Sequence, residues 1–164
     1  MSESRHRYEA RVEWQGPEPA AFLKRQYSRA HQWHFDGGLA VPASSSPQIV
    51  RLPWSDAEAV DPEEAFVAAI ASCHMLFFLD FAARAGFAVA RYDDPAYGEM
   101  GKGADGRVQM LGVTLQPQLE WAGDAPGEAQ IADLHHQAHE ACFLANSVRC
   151  PVTLAPGERH TARA

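Results

Sequence analysis

Cysteine is scarce in this chain of 164 residues: there are three, at positions 73, 142 and 150. None belongs to a Cys-x-x-Cys pair, which argues against a zinc knuckle or a disulfide framework and for free or redox-active thiols. Basic residues are also in short supply, with 14 Lys and Arg against 21 Asp and Glu and a net charge of −7. No basic patch is interleaved with aromatics, so neither nucleic acid nor an anionic membrane is expected as a main partner. The segment from Met1 to Tyr8 is charged and lacks the apolar stretch of a signal peptide. A cytoplasmic location is therefore expected, where thiols stay reduced. Glycine-rich dinucleotide and phosphate loops, a Gly-x-Ser-x-Gly elbow and a His-Glu-x-x-His motif are missing too, and no cofactor or metal is expected. Neither an internal repeat nor an interdomain linker is visible.

What is present is long enough to bury a core, and the chain reads as one domain over residues 1–156 with a disordered tail over 157–164. Strands are predicted from His6 to Trp14 and from Tyr27 to Phe35, the latter closed by the turn Asp36-Gly37-Gly38. Residues 20–25 are ambiguous, and Leu39 to Pro47 reads as an irregular loop. A long helix opens with Asp61 as N-cap, Pro62 at the first position and Glu63 and Glu64 in the first turn, and stops at Gly86. Phe87–Met100 and Arg107–Trp121 suit two strands joined by a glycine-rich turn, with Pro117 weakening the second. A helix from Gly127 to Leu144 and a strand from Val148 to Leu154 complete an α+β order.

The long helix is unusually apolar between Ala65 and Ala83. Its length is close to a membrane span, but His74 and Asp80 would be costly in lipid and no Lys or Arg cluster flanks it. It reads instead as the central helix of a soluble fold, too apolar for one small sheet to cover, which points to a wrapping sheet or a second subunit.

Cys73 sits inside this apolar run and Cys142 ends the histidine-rich stretch from Leu134. A thiol in an apolar wall is ordinarily inert, because burial disfavours the thiolate. It becomes chemistry if a cation and a second thiol reach it. Arg29 is the candidate cation, interrupting an otherwise uncharged strand; a surface arginine is the bland reading. Glu63 lies ten residues before Cys73, or about 15 Å along one straight helix. The two share a site only through a second chain or an intermediary arginine; otherwise Glu63 is a first-turn dipole residue. His135, His139 and Cys142 fall on one helical face and are a weak metal-ligand pattern. His74 points about 100° away from Cys73 and suits a hydrogen-bonded core histidine.

The stretch from Asp61 to Cys73, an Asp-Pro-Glu followed ten residues after the glutamate by a cysteine, resembles the helix-opening motif of the OsmC/Ohr hydroperoxide reductases. Ala138-His-Glu-Ala-Cys142, with Asn146-Ser-Val148 beyond it, resembles the second-cysteine helix of that family. The resemblance covers most of the chain. It implies an intertwined homodimer with antiparallel sheets wrapped around long central helices and active sites at the subunit interface. It further implies that Cys73 is the peroxidatic cysteine, Cys142 the resolving one, and Glu63 and an arginine their polar partners. The implied reaction is cysteine-based reduction of an organic hydroperoxide to an alcohol, through a Cys73 sulfenic acid and a Cys73–Cys142 disulfide. A dithiol or a lipoylated protein would be the reductant. Two departures stand out: Phe143 follows the second cysteine where the family commonly has proline, and Tyr27-Ser-Arg29-Ala replaces a glycine-containing arginine loop. Arg25 therefore stays open as the catalytic arginine. Cys150 has no role in the motif and is expected to be a buried strand residue. The competing reading is a non-catalytic protein of this fold that binds an apolar small molecule at the dimer interface.

Overall fold

The computed structural model describes residues 5–155 and 160–163, which divide into two compact units, Met1–Ala65 and Phe66–Ala164. In the first unit, β1 (Ala10–Glu13), β2 (His31–Phe35) and β3 (Ala40–Ala43) form an antiparallel sheet in that order, with a short helix α1 (Pro19–Leu23) between β1 and β2. Val12 pairs with Trp33, and Trp33 with Val41. The expected loop over 39–47 is thus corrected. Asp36-Gly37-Gly38 is a hairpin turn, with Gly38 at φ 85° and its N–H donating to Phe35 O at 3.0 Å, and this delivers residues 40–43 into the ladder. The expected strand from Tyr27 is shorter than predicted, because residues 27–30 are held in a loop by the bonds described below. Among described residues of this unit only Ala43, Ser44, Ser55 and Asp61 are buried. Three strands ordinarily need a hydrophobic face to pack against.

The long helix α2 (Pro62–Arg84) has the predicted ends. Asp61 Oδ1 accepts the Glu64 N–H at 2.7 Å and Glu64 Oε2 accepts the Asp61 N–H at 3.3 Å, a reciprocal cap. Gly86 closes the helix at φ 85°, with Phe87 N–H donating to Ala82 O. In its most apolar window α2 reaches a mean hydropathy of 1.9 and is long enough to cross a membrane by length and composition. Only the stripe Ile70, His74, Phe78 and Ala82 is buried, a four-residue spacing that follows one helical face.

The second unit holds β4 (Val89–Asp93), β5 (Tyr97–Lys102), β6 (Val108–Leu115), β7 (Gln118–Ala122), α3 (Glu128–Ala141), a 3-10 turn over Ala145–Ser147, β8 (Val152–Leu154) and β9 (His160–Arg163). Two strands were predicted for residues 87–121, and four are found. Each run is cut beside a proline, Pro95 and Pro117, and Asp94 Oδ1 bridges the breaks by accepting the Gln116 N–H at 2.7 Å. The halves consequently pair in separate sheets, β4-β7-β9 and β5-β6-β8. β4 with β7 and β5 with β6 are antiparallel, whereas β8 and β9 add in parallel. Residues 160–163 therefore pair with the free side of β7 although 157–164 was read as a disordered tail; 157–159 and 164 lie outside the described residues.

Two apolar clusters meet the buried stripe of α2. Phe78 and Ala82 pack with Leu119, Trp121, Ile131, Leu134 and Ala138, joining α2 to β7 and α3. Ile70 packs with Val113 and Leu115 of β6. Cys150 lies half-buried against the second cluster just before β8, not within a strand as expected, because Pro151 delays pairing until Val152.

Candidate active site

Cys73 is half-buried on α2, one residue before His74 of the buried stripe. Cys142 is fully buried and is the C-cap of α3, where φ −65° and ψ 109° leave helical geometry. The predicted helix to Leu144 is therefore shorter by three residues. The exit is held by the Asn146 side chain, whose Nδ2 donates to Glu140 O at 2.9 Å, and by Ser147 Oγ donating to Phe143 O at 2.6 Å. This turn carries the second sulfur into the neighbourhood of the first: Cys73 is near enough to act on the ionisation of Cys142, and both are free rather than disulfide-linked. Phe143, the residue after Cys142, sets its ring edge-on to Phe77 at 5.0 Å.

Burial pushes the Cys142 thiol above its ordinary range, and the hydrogen bond and charge interaction with Cys73 act in the same direction. Backbone N–H groups of Ala145 and Leu144 oppose them, the former 3.4 Å from Sγ. The raised pKa keeps Cys142 protonated at neutral pH, which suits a second rather than a first nucleophile.

Between α2 and α3 lies a buried pair that the sequence reading did not connect. His74 and His135 are each 1% exposed, and Nε2 of the first is 3.0 Å from Nδ1 of the second. Burial lowers the pKa of His74 to about 3, with the neighbouring His135 and then His139 acting in the same sense. His74 is therefore a neutral core histidine, as its position on the helix suggested. Among the described residues no three His, Cys, Asp or Glu are grouped to hold a metal ion, and His135 turns to His74 rather than joining a ligand set with His139 and Cys142.

Arg29 and Glu63 come together in the first unit. Both line a cavity of about 340 Å³ that also includes Trp14, Phe22, Tyr27 and His31. Three of these rings pack on one another, Phe22 stacking on Tyr27 at 4.9 Å and Trp14 meeting Tyr27 edge-on at 5.5 Å. Arg29 lies before β2, not within it. Its guanidinium carbon sits 3.7 Å over the Tyr27 ring, Nη1 donates to Tyr27 O at 2.5 Å, and its backbone N–H donates to Trp54 O at 2.9 Å. His31 Nδ1 bonds Arg29 O at 2.7 Å and His31 Nε2 accepts from Trp33 Nε1 at 2.9 Å, so that Nδ1 carries the proton it donates. Arg25 does not line the cavity. It stands exposed at φ 59° and offers only its carbonyl to Arg29 Nη1, at 3.3 Å. The aromatic lining was not read from the sequence, because residues 14, 22 and 27 share no period and only the α1 turn gathers them.

A long capped helix carrying one thiol, a second thiol presented at the end of a later helix, and three small sheets define an α+β protein. The sequence model of the OsmC-like protein family matches residues 55–156, and the chain belongs to that family. It is 45% identical to an OsmC-like protein of unknown function from Vibrio cholerae, with a TM-score of 0.89 over 92% of this chain and 99% of that one. Its fold is shared with the organic hydroperoxide resistance protein OsmC from Legionella pneumophila (15% identity, TM-score 0.66, 99% and 100% of the two chains). The fold is shared as well with OhrB, the organic hydroperoxide resistance protein of Bacillus subtilis (18% identity, TM-score 0.56, 95% and 98%). No curated protein matches the sequence.

Proposed function

We propose that this protein reduces organic hydroperoxides to alcohols by thiol chemistry. The observation that carries the reading is the pairing of two free thiols, Cys73 on α2 and Cys142 at the end of α3, near enough for one to act on the ionisation of the other. Names of fold relatives as hydroperoxide resistance proteins support the general class. The Cys73 thiolate attacks the terminal peroxide oxygen; the O–O bond breaks, the alkoxide takes a proton and leaves as alcohol, and Cys73 is left as a sulfenic acid. The Cys142 sulfur then displaces water from it and forms the Cys73–Cys142 disulfide. A dithiol or lipoylated protein reopens this bond and is itself oxidised to a disulfide. Apolar neighbours of Cys73 on α2, Met75 and Phe77, favour an alkyl or acyl hydroperoxide over hydrogen peroxide.

The working unit in this proposal is a cytoplasmic homodimer. Glu63 and Cys73 are ten residues apart on one helix, so Arg29 and Glu63 reach the thiol from the partner subunit. The sparse burial within residues 5–65 and the exposed Leu76 on α2 (61% exposed) support a second chain as cover.

A second reading, an OsmC-like protein that holds an apolar small molecule without turning it over, is favoured by one observation: the aromatic cavity has no cysteine in its lining. Intact mass with peptide mapping after one equivalent of cumene hydroperoxide separates the two. A chain about two mass units lighter, carrying a Cys73–Cys142 disulfide, supports the peroxidase; in Cys142→Ser the reaction stops at a Cys73 sulfenic acid after one turnover. An unchanged chain with three free thiols supports the binding protein.

A further inference from the structure

The buried histidine pair has no part in the chemistry above, yet it sits where the two thiol-bearing helices meet. His74 follows Cys73 by one residue on α2, and His135 precedes Cys142 by seven on α3. Their ring centroids are 5.3 Å apart and the planes 9° from parallel, and Phe78 stacks on His135 at 4.2 Å. The neutral His74 ring can form one N–H···N bond with the ring of His135, one donating and the other accepting. Around this bond α2 also meets α3 and the chain just beyond it through apolar contacts: Phe78 and Ala82 against Ile131, Leu134 and Ala138, and Phe77 against Phe143. Apolar packing has little directional preference, whereas a hydrogen bond weakens steeply once its donor is misaligned. At 1% exposure neither ring has bulk water to replace its partner.

We infer that the His74–His135 bond sets the register of α2 against α3 and so holds Cys73 and Cys142 in position to form their disulfide. Both histidines are positioning residues, acting through the helices rather than on the reacting atoms. The use of this device in catalysis rests on the peroxidase reading; its effect on the thiol pair is measurable without peroxide.

The test is a glutathione redox equilibrium on the full chain carrying Cys150→Ser. In it the two thiols and one glutathione disulfide exchange with the protein disulfide and two glutathione thiols. Trapping and mass analysis give the effective concentration of one thiol toward the other. His74→Leu is expected to lower that concentration about tenfold, the scale of one buried hydrogen bond lost. His135→Leu should repeat the loss from α3. His74→Gln, whose amide reaches close to the position of Nε2, should stay within about twofold of the parent. Val113→Ala, which loosens the other apolar cluster, should leave the value unchanged. Leu variants equal to a parent that forms its disulfide overturn the histidine role alone, and so does an equal fall in Val113→Ala. A parent that forms no Cys73–Cys142 disulfide at any glutathione ratio overturns the positioning role together with the resolving step.

Discussion

Lowering the pH from 7 to 5 should destabilise this protein through His74 in particular, and the size of the effect follows from its burial. In the folded chain its pKa is lowered to about 3 by desolvation, then by His135 and His139. In the unfolded chain it returns to its ordinary value of 6.5. A depressed pKa means that the unfolded state takes up a proton the folded state refuses. The contribution of His74 is therefore fully retained above pH 6.5 and lost progressively as the pH falls toward 3. Between pH 7 and 5 the proton uptake of the unfolded chain amounts to about 2 kcal/mol. Because the folded value lies well below pH 5, this figure is set by the unfolded histidine. Urea unfolding at fixed protein concentration, at pH 7, 6 and 5, measures it, and the same series on His74→Gln removes the titrating group while keeping a hydrogen-bonding side chain. Subtracting the two series cancels the other histidines and leaves a difference of about 2 kcal/mol, or roughly 1 M in urea midpoint. Parallel curves for the two proteins between pH 7 and 5 would refute the reasoning, since they would mean that His74 takes up its proton in the folded state.

Two further outcomes concern the thiol chemistry. Arg29→Lys should slow formation of the Cys73 sulfenic acid by about 100-fold in stopped-flow measurements, because an ammonium cannot present the planar fork that a guanidinium offers to thiolate and peroxide; an unchanged rate would leave Arg29 as a structural loop residue. The Cys142 thiol is raised above its ordinary range, so the resolving step should accelerate about tenfold per pH unit from pH 7 to 9 as its thiolate fraction grows. A resolving rate that is flat over that range would assign the proton loss to another group.

Local signals were legible wherever the chemistry of adjacent residues decides the backbone. Asp61, Pro62 and Glu64 specify the start of α2, and Gly86 its stop, because capping and positive φ are properties of a few neighbouring residues. The family was legible for a similar reason, since the spacing from Glu63 to Cys73 is carried by one uninterrupted helix. The strands were harder. Residues 87–121 read as two because β-propensity says nothing of partners, and the breaks at Pro95 and Pro117 send β4 and β5 to different sheets. Arg29 kept its place as a candidate, but its departure from the strand depends on Tyr27 and Trp54, which are brought to it by folding. Residue order by itself determined which side chains carry reactive groups and which helix each occupies. Only the tertiary structure decided that Cys142 leaves its helix to meet Cys73, and that His74 finds His135 sixty-one residues away. Both are contacts between distant segments, where burial and hydrogen bonding act across space with no local sequence period to announce them.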